Sequence, residues 1–197
     1  MNSGWRYQYV AKESAMQSSR FISVSDIGAA EADFNARIRQ SEPGKDPLNI
    51  YVSIKNRSNT LGGQDWPKAI KALEDVAKSD KNREGPYLCV FGIAMQGGLR
   101  NIKNEQKTKR PYSVNTEVWL SNFFWHFFTN YDYDDVMKIV LEALIETTKP
   151  DELHLVVPNA VLDAFGDECK QHNLVDEQGR FNDAHILIDL FCGKNKP

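Results

Sequence analysis

Nineteen residues separate Asp33 from the tripeptide Ser53-Ile54-Lys55, and an acid and an ammonium at that spacing can do phosphoryl chemistry. A carboxylate holds Mg²⁺, a hard cation that prefers oxygen ligands. The metal polarises a scissile phosphate and helps generate hydroxide from water. A lysine supplies a point charge that orients the water or offsets developing negative charge. Ser53 and Lys55 are i and i+2, so they share one side of a strand. Ile54 turns its side chain to the core between them, and its backbone carbonyl is a further oxygen donor. Taken alone, an Asp and a Lys on the polar face of a hairpin also read as a solvated pair worth about 0–1 kcal/mol.

The elements that must bring these residues together are legible in the alternation of the chain. Ala32, Phe34, Ala36 and Ile38 alternate with Asp33, Asn35, Arg37 and Arg39. Leu48, Ile50, Val52 and Ile54 alternate with Asn49, Tyr51, Ser53 and Lys55. Strict period-two patterning predicts two half-buried strands. The turn formers Gln40-Ser-Glu-Pro-Gly-Lys-Asp-Pro47 between them predict an antiparallel hairpin. With the loop centred near Pro43–Gly44, paired residue numbers sum to about 86–88, which sets Asp33 opposite Ser53–Lys55.

Around this hairpin the pattern predicts a helix over residues 5–19 and a short strand at Phe21–Val24. Asp65 reads as an N-cap and Pro67 as a first-turn proline for an amphipathic helix over Pro67–Lys78. Tyr87–Met95 reads as a buried strand, Val118–Phe128 and Asp134–Thr148 as helices. His154–Val157 and His185–Phe191 read as strands, with a helix near Ala160–His172 between them. The expected fold is α/β, a central mixed β-sheet flanked by helices. One domain is expected over 1–197, with a catalytic core at about 10–100 and a helical, aromatic and C-terminal part at about 112–197.

The order of Asp33, nineteen residues and Ser53-Ile54-Lys55, followed by the loop of YVSIKNRSNTLGGQDW, resembles the PD-(D/E)xK nuclease superfamily. Within it the likeness is to type II restriction endonucleases, over roughly residues 13–75. The resemblance implies a helix, then a hairpin carrying the acid and the tripeptide, then a further strand and helix. It implies a Mg²⁺-dependent endodeoxyribonuclease in which Asp33 holds the metal and Lys55 positions the nucleophile. Ala32 replaces a frequent proline. Ser53 replaces the usual Asp or Glu, so a second carboxylate must come from elsewhere. Asp65, Glu74 and Glu13 are the candidates, Glu13 being placed like a first-helix acid. The expected metal donors are Asp33, the Ile54 carbonyl and Asp65.

Partner residues follow from the same reading. Asn56, Arg57, Asn59, Thr60 and Gln64 leave the tripeptide strand directly. Arg reads guanine and Asn or Gln reads adenine in the major groove; the same residues also serve to satisfy a turn. Arg100, Lys103, Lys107, Lys109 and Arg110 face only Glu105 in their loop, which suits a phosphate clamp on double-stranded DNA or a plain solvated loop. Trp66 reads as packing at a helix start. His126 reads as a core or interface residue. The aromatic run from Trp119 to Phe128 suggests a helix buried against a second subunit, and a homodimer would mirror a palindromic site. A different reading uses Gly97-Gly98 to cradle a small phosphorylated substrate. A catalytically inactive DNA-binding or assembly module is the reading that Ser53 favours.

Composition narrows the remaining classes. Apolar residues are 41% and charged residues 26%, ordinary for a globular chain, so collagen-like and wholly disordered classes are out. A net charge of −3 argues against bulk nucleic-acid coating but leaves room for a local basic groove. Cys89, Cys169 and Cys192 form no CxxC pair, which fits a reducing compartment and no zinc ribbon. There is no HExxH, GxSxG, Walker loop or GxGxxG. No apolar run reaches the ~18–20 residues of a membrane span, and the start lacks an apolar signal core. A cytoplasmic protein with no membrane partner is expected.

Overall fold

A computed structural model describes residues 4–56, 65–147, 159–171 and 173–177. The chain divides into two compact units, Met1–Tyr133 and Asp134–Pro197. The first opens with helix α1 (Gly4–Gln17) and the strands β1 (Phe21–Ser25), β2 (Phe34–Ile38) and β3 (Leu48–Lys55). Helix α2 (Trp66–Ser79) leads to β4 (Tyr87–Ile93), β5 (Arg100–Asn101), β6 (Thr116–Trp119) and helix α3 (Ser121–Thr129). In the second unit lie α4 (Tyr133–Thr147), all but its first residue, and α5 (Asn159–Gln171). The expected strands at His154–Val157 and His185–Phe191 fall outside the described residues. Among those residues no helix is long and apolar enough to cross a membrane.

Among the described residues the sheet is mixed and six-stranded, in the order β1-β2-β3-β4-β6-β5. β1, β2 and β3 form an antiparallel meander. β3, β4 and β6 are parallel, and β5 returns antiparallel along β6. Phe34 pairs with Val52 and Ala36 with Ile50, a register sum of 86, within the range that the turn position predicts. A parallel β3–β4 pair needs a crossover, and α2 supplies it.

Helices cover the two faces of the sheet. On one, Trp66, Ile70, Leu73 and Ala77 project from α2 at helical spacing onto Tyr51, Cys89, Phe91 and Ile93. On the other, the Gly92 position faces the Phe124 ring of α3, where a Cβ would collide with it. Phe34 meets Phe128 edge-on there, 5.3 Å between centroids. Tyr7, Ala11 and Ala15, each four residues apart, lie buried on one face of α1.

Two expectations are corrected here. β3 is not half-buried: Leu48 and Lys55 alone are partly exposed, and its polar alternates Asn49 and Ser53 lie inside. An interior strand covered on both faces has no solvent side, whatever its alternation. The helix expected over Val118–Phe128 begins only at Ser121, because Thr116–Trp119 pairs with the open edge of β4. Thr116 and Val118, both buried, suit a pleated strand, and the aromatic residues that follow carried the helical pattern.

Candidate functional site

The carboxyl ends of the parallel strands β3, β4 and β6 lie at one end of the sheet, where open α/β sheets place their ligands. Asp33 reaches that end from the antiparallel side, one residue before β2. Its N–H donates to the Val52 carbonyl (2.7 Å). Its Oδ2 accepts the Ile54 N–H (2.5 Å), and its Oδ1 accepts the side-chain amide of Gln8 on α1 (2.7 Å). The carboxylate is thus gripped between a strand backbone and a helix. Burial pushes its pKa up, while the Ile54 N–H and the nearby Lys55 charge pull it down without cancelling the burial. Lys55, half-buried at the last position of β3, therefore stands within electrostatic reach of Asp33. Among the described residues the two make no direct ion pair. The backbone N–H and carbonyl of one strand residue point to the same side, so the Ile54 carbonyl faces the β2 side, as its N–H does.

The structure brings Asp33, Ile54 and Lys55 together, as the spacing predicts. Ser53 lies beside them in sequence but only 3% exposed. The acid replacements separate. Glu74 does not join Asp33: it is buried on α2, where the Ser113 hydroxyl, the Thr116 hydroxyl (2.8 Å) and the Lys78 ammonium (3.0 Å) hold it. Burial would raise its pKa, but these three donors outweigh burial and lower it. From α1 it is Gln8, not Glu13, that contacts Asp33. Five residues on a helix turn a side chain about 140° away, and Glu13 instead acts on Lys12. Asp65 occupies the N-cap position of α2 but makes no side-chain cap, and it is exposed. Gln8 was not among the expected residues. Its signal was the polar pair Gln8 and Lys12, one helical turn apart: Lys12 holds Asp26 (2.8 Å) while Gln8 holds Asp33, so α1 pins both sides of the β1–β2 connection.

Magnesium is the metal that the resemblance implies. Among the described residues no three His, Cys, Asp or Glu side chains cluster to hold a metal. A carboxylate and a backbone carbonyl do not make a closed protein cage. They do suit Mg²⁺, which keeps several waters and is commonly bound by one or two carboxylates together with substrate phosphate.

Of the expected DNA contacts, Arg57, Asn59, Thr60 and Gln64 lie outside the described residues. Asn56 is half-buried, and its carbonyl accepts the Met95 N–H (2.9 Å). The basic loop is a hairpin: Tyr112 N–H donates to Lys103 O (2.9 Å) and Glu105 N–H to Arg110 O (2.8 Å). Its tip exposes Lys107, Lys109 and Arg110. At its root Lys103 lies over the Trp66 ring, 4.7 Å from the centroid, which seats the hairpin beside the start of α2. Arg100 is turned aside toward Glu117 (3.7 Å) and the Phe123 ring. Trp66 packs edge-on against Phe91, as expected for a helix-start residue. His126 is not a core residue: its side chain is 61% exposed and faces Asp132 (3.4 Å). In the Gly97-Gly98 segment, Asn122 Oδ1 already accepts the Gly98 N–H (2.6 Å). Compared with known proteins, the chain matches no family model, no curated protein and no solved structure.

Proposed function

We propose that the chain is a Mg²⁺-dependent DNA endonuclease of the type II restriction kind, hydrolysing phosphodiester bonds. The observation that carries this reading is the Asp33 carboxylate, held by Gln8 and the Ile54 N–H at the carboxyl end of β3 and within reach of the Lys55 charge. A helix followed by antiparallel strands that carry the acid and the tripeptide is the order that the resemblance implies; after them come a helix and then a parallel strand, where the resemblance implies a strand and then a helix. Asp33 and the Ile54 carbonyl would hold the metal, with Asp65 as the nearest candidate for a further carboxylate in sequence. When bound, Mg²⁺ polarises the scissile phosphate and acidifies a coordinated water. Gln8 and the Ile54 N–H orient the carboxylate. Lys55 places positive charge where the attacking oxygen and the crowded phosphate develop negative charge. Lys107, Lys109 and Arg110 meet backbone phosphates of duplex DNA, and Asn56, with Arg57, Asn59, Thr60 and Gln64 after it in sequence, supplies the base-reading side chains. A homodimer would present two such sites to a two-fold sequence.

A second reading, a catalytically inactive DNA-binding or assembly module, is favoured by one observation. Ser53 is buried where the second acid would stand, and among the described residues no three His, Cys, Asp or Glu side chains group to hold a metal. Plasmid cleavage separates the two. Nicking that needs Mg²⁺, stops with EDTA, and falls at least about 100-fold in Asp33→Ala and Lys55→Ala supports the nuclease. Undiminished cutting by either variant refutes the assignment of residues. Salt-dependent DNA binding with no cleavage selects the module.

A further inference from the structure

A cleft of about 490 Å³ opens between α2 and the β1–β2–β3 face of the sheet, lined by Ser23, Ser25, Asn35, Arg37, Ser79 and Asp80 among others. The register builds its floor. Ser23 pairs with Arg37 and Arg37 with Asn49 in one row, while Ser25 pairs with Asn35 in the next. Side chains of paired residues share a face, so five polar side chains stand side by side on three strands. Asn35 is 6% exposed and Asn49 2%. Buried polar groups without partners are costly, and most such groups in proteins are satisfied.

The one charged side chain of this floor, Arg37, is a pure donor. Asn49 is spoken for, its amide donating to Glu84 O (2.7 Å) and Pro86 O (3.2 Å). Arg37 reaches the exposed Glu84 with Nη2 (3.2 Å), but its Nε is buried and no protein group accepts from it. The Asn35 amide has a long contact to Ile50 O (3.4 Å) and no shorter one. The acidic groups at the rim are already engaged. Asp80 accepts the Tyr51 hydroxyl (2.6 Å) and the Asn82 N–H (2.9 Å). Asp26 takes the Lys12 ammonium on both oxygens (2.9 and 2.8 Å). What remains is donor capacity around Arg37, the one cation among the described residues lining the cleft. The planar guanidinium presents Nε and Nη2 as a fork that fits two oxygens of one oxyanion.

We propose that this cleft binds a small oxyanion-bearing molecule, a phosphate or carboxylate compound, through Arg37, Asn35 and the Ser23 and Ser25 hydroxyls. The volume lies within the range of small-ligand sites. The anion takes Arg37 Nε and shares or displaces Glu84 at Nη2, while Asn35 and the serines donate to its remaining oxygens. The site is independent of Asp33 and Lys55 and does not rest on nuclease activity.

The test is a titration of the full-length chain followed by the ¹⁵N–¹H signal of Arg37 Nε and the side-chain amide of Asn35. Inorganic phosphate, succinate and a short DNA duplex are added in separate arms, with sodium chloride at matched ionic strength as control. Saturable movement of both signals with phosphate or succinate, absent with chloride, is expected, and the arm that saturates first tells phosphate from carboxylate. Arg37→Gln weakens the binding at least about tenfold. Ser25→Ala, at an exposed strand position, weakens it by a smaller factor and serves if Arg37→Gln fails to fold. Lys107→Ala with Lys109→Ala leaves it unchanged. No saturable movement with either small anion overturns the proposal, as does unchanged binding in a folded Arg37→Gln variant. Movement with DNA alone overturns it too, because the floor would then belong to a nucleic-acid surface.

Discussion

Asp33 carries two opposed demands. A metal-binding carboxylate must be ionised, yet burial raises its pKa more than Ile54 and Lys55 lower it. A folded-state pKa above the unfolded one means that the native state favours the protonated acid, so this group's contribution to stability is full below the unfolded value of 3.8 and is lost as pH rises through the folded one. Asp33→Asn removes that loss. Its side-chain oxygen can still accept the Ile54 N–H, and the Gln8 amide can turn to accept from its NH₂. Urea unfolding should find Asp33→Asn at least as stable as the parent at pH 7, with the difference shrinking toward pH 3, while cleavage falls at least about 100-fold. A variant less stable at pH 7 would show that the anion itself holds the fold. Much of this residue's setting was legible beforehand: alternation and a proline-glycine turn suffice to bring Asp33 to Ile54 and Lys55. Gln8 was not legible, because a contact across 25 positions depends on how α1 packs, which no local spacing encodes.

At the scale of elements, the acid of α2 proves to be a clasp. Glu74 binds Ser113 and Thr116, so the crossover helix is tied to the segment that enters β6 as well as to its own Lys78. Its lowered pKa gives the reverse pH behaviour from Asp33. The stabilisation is present above the unfolded value of 4.5 and is lost as pH falls through the folded one. Glu74→Gln keeps the shape but weakens charge-assisted bonds, and a loss of about 1–3 kcal/mol is expected at pH 7. Chemical denaturation checks it, and a loss that persists undiminished at low pH would refute the ionic origin. The helix itself was readable from Pro67 and the spacing of Trp66, Ile70, Leu73 and Ala77. β6 was not, since four residues ahead of an aromatic helix carry too little period to separate from it; the open edge of β4 decides their conformation.

For the molecule as a whole, the six described strands of the sheet and the helices α1, α2 and α3 fall inside residues 1–133. Trp119 and Trp125 are among its largest fully buried side chains. A fragment of residues 1–133 should therefore unfold cooperatively and keep blue-shifted tryptophan emission and near-ultraviolet dichroism. Loss of those signals, with helical far-ultraviolet dichroism retained, would show that the first unit needs the rest of the chain for its packing. Charge also differs by scale. The chain is acidic overall, but the exposed Lys107, Lys109 and Arg110 concentrate positive charge at one hairpin tip, and a local field, not the net charge, governs how such a tip meets a polyanion.

Period-two alternation, turn residues and helix punctuation determined the β2–β3 pairing, the helix that follows β3 and the approach of Asp33 to Ile54 and Lys55, because each is written in residues close along the chain. Tertiary structure alone decided that β3 is covered on both faces and that Gln8 rather than Glu13 grips Asp33. It also decided that Glu74 serves the fold and that Arg37 and Asn35 floor a cleft. Those outcomes are sums of many weak contacts between segments distant in sequence, and only the packed chain carries them out.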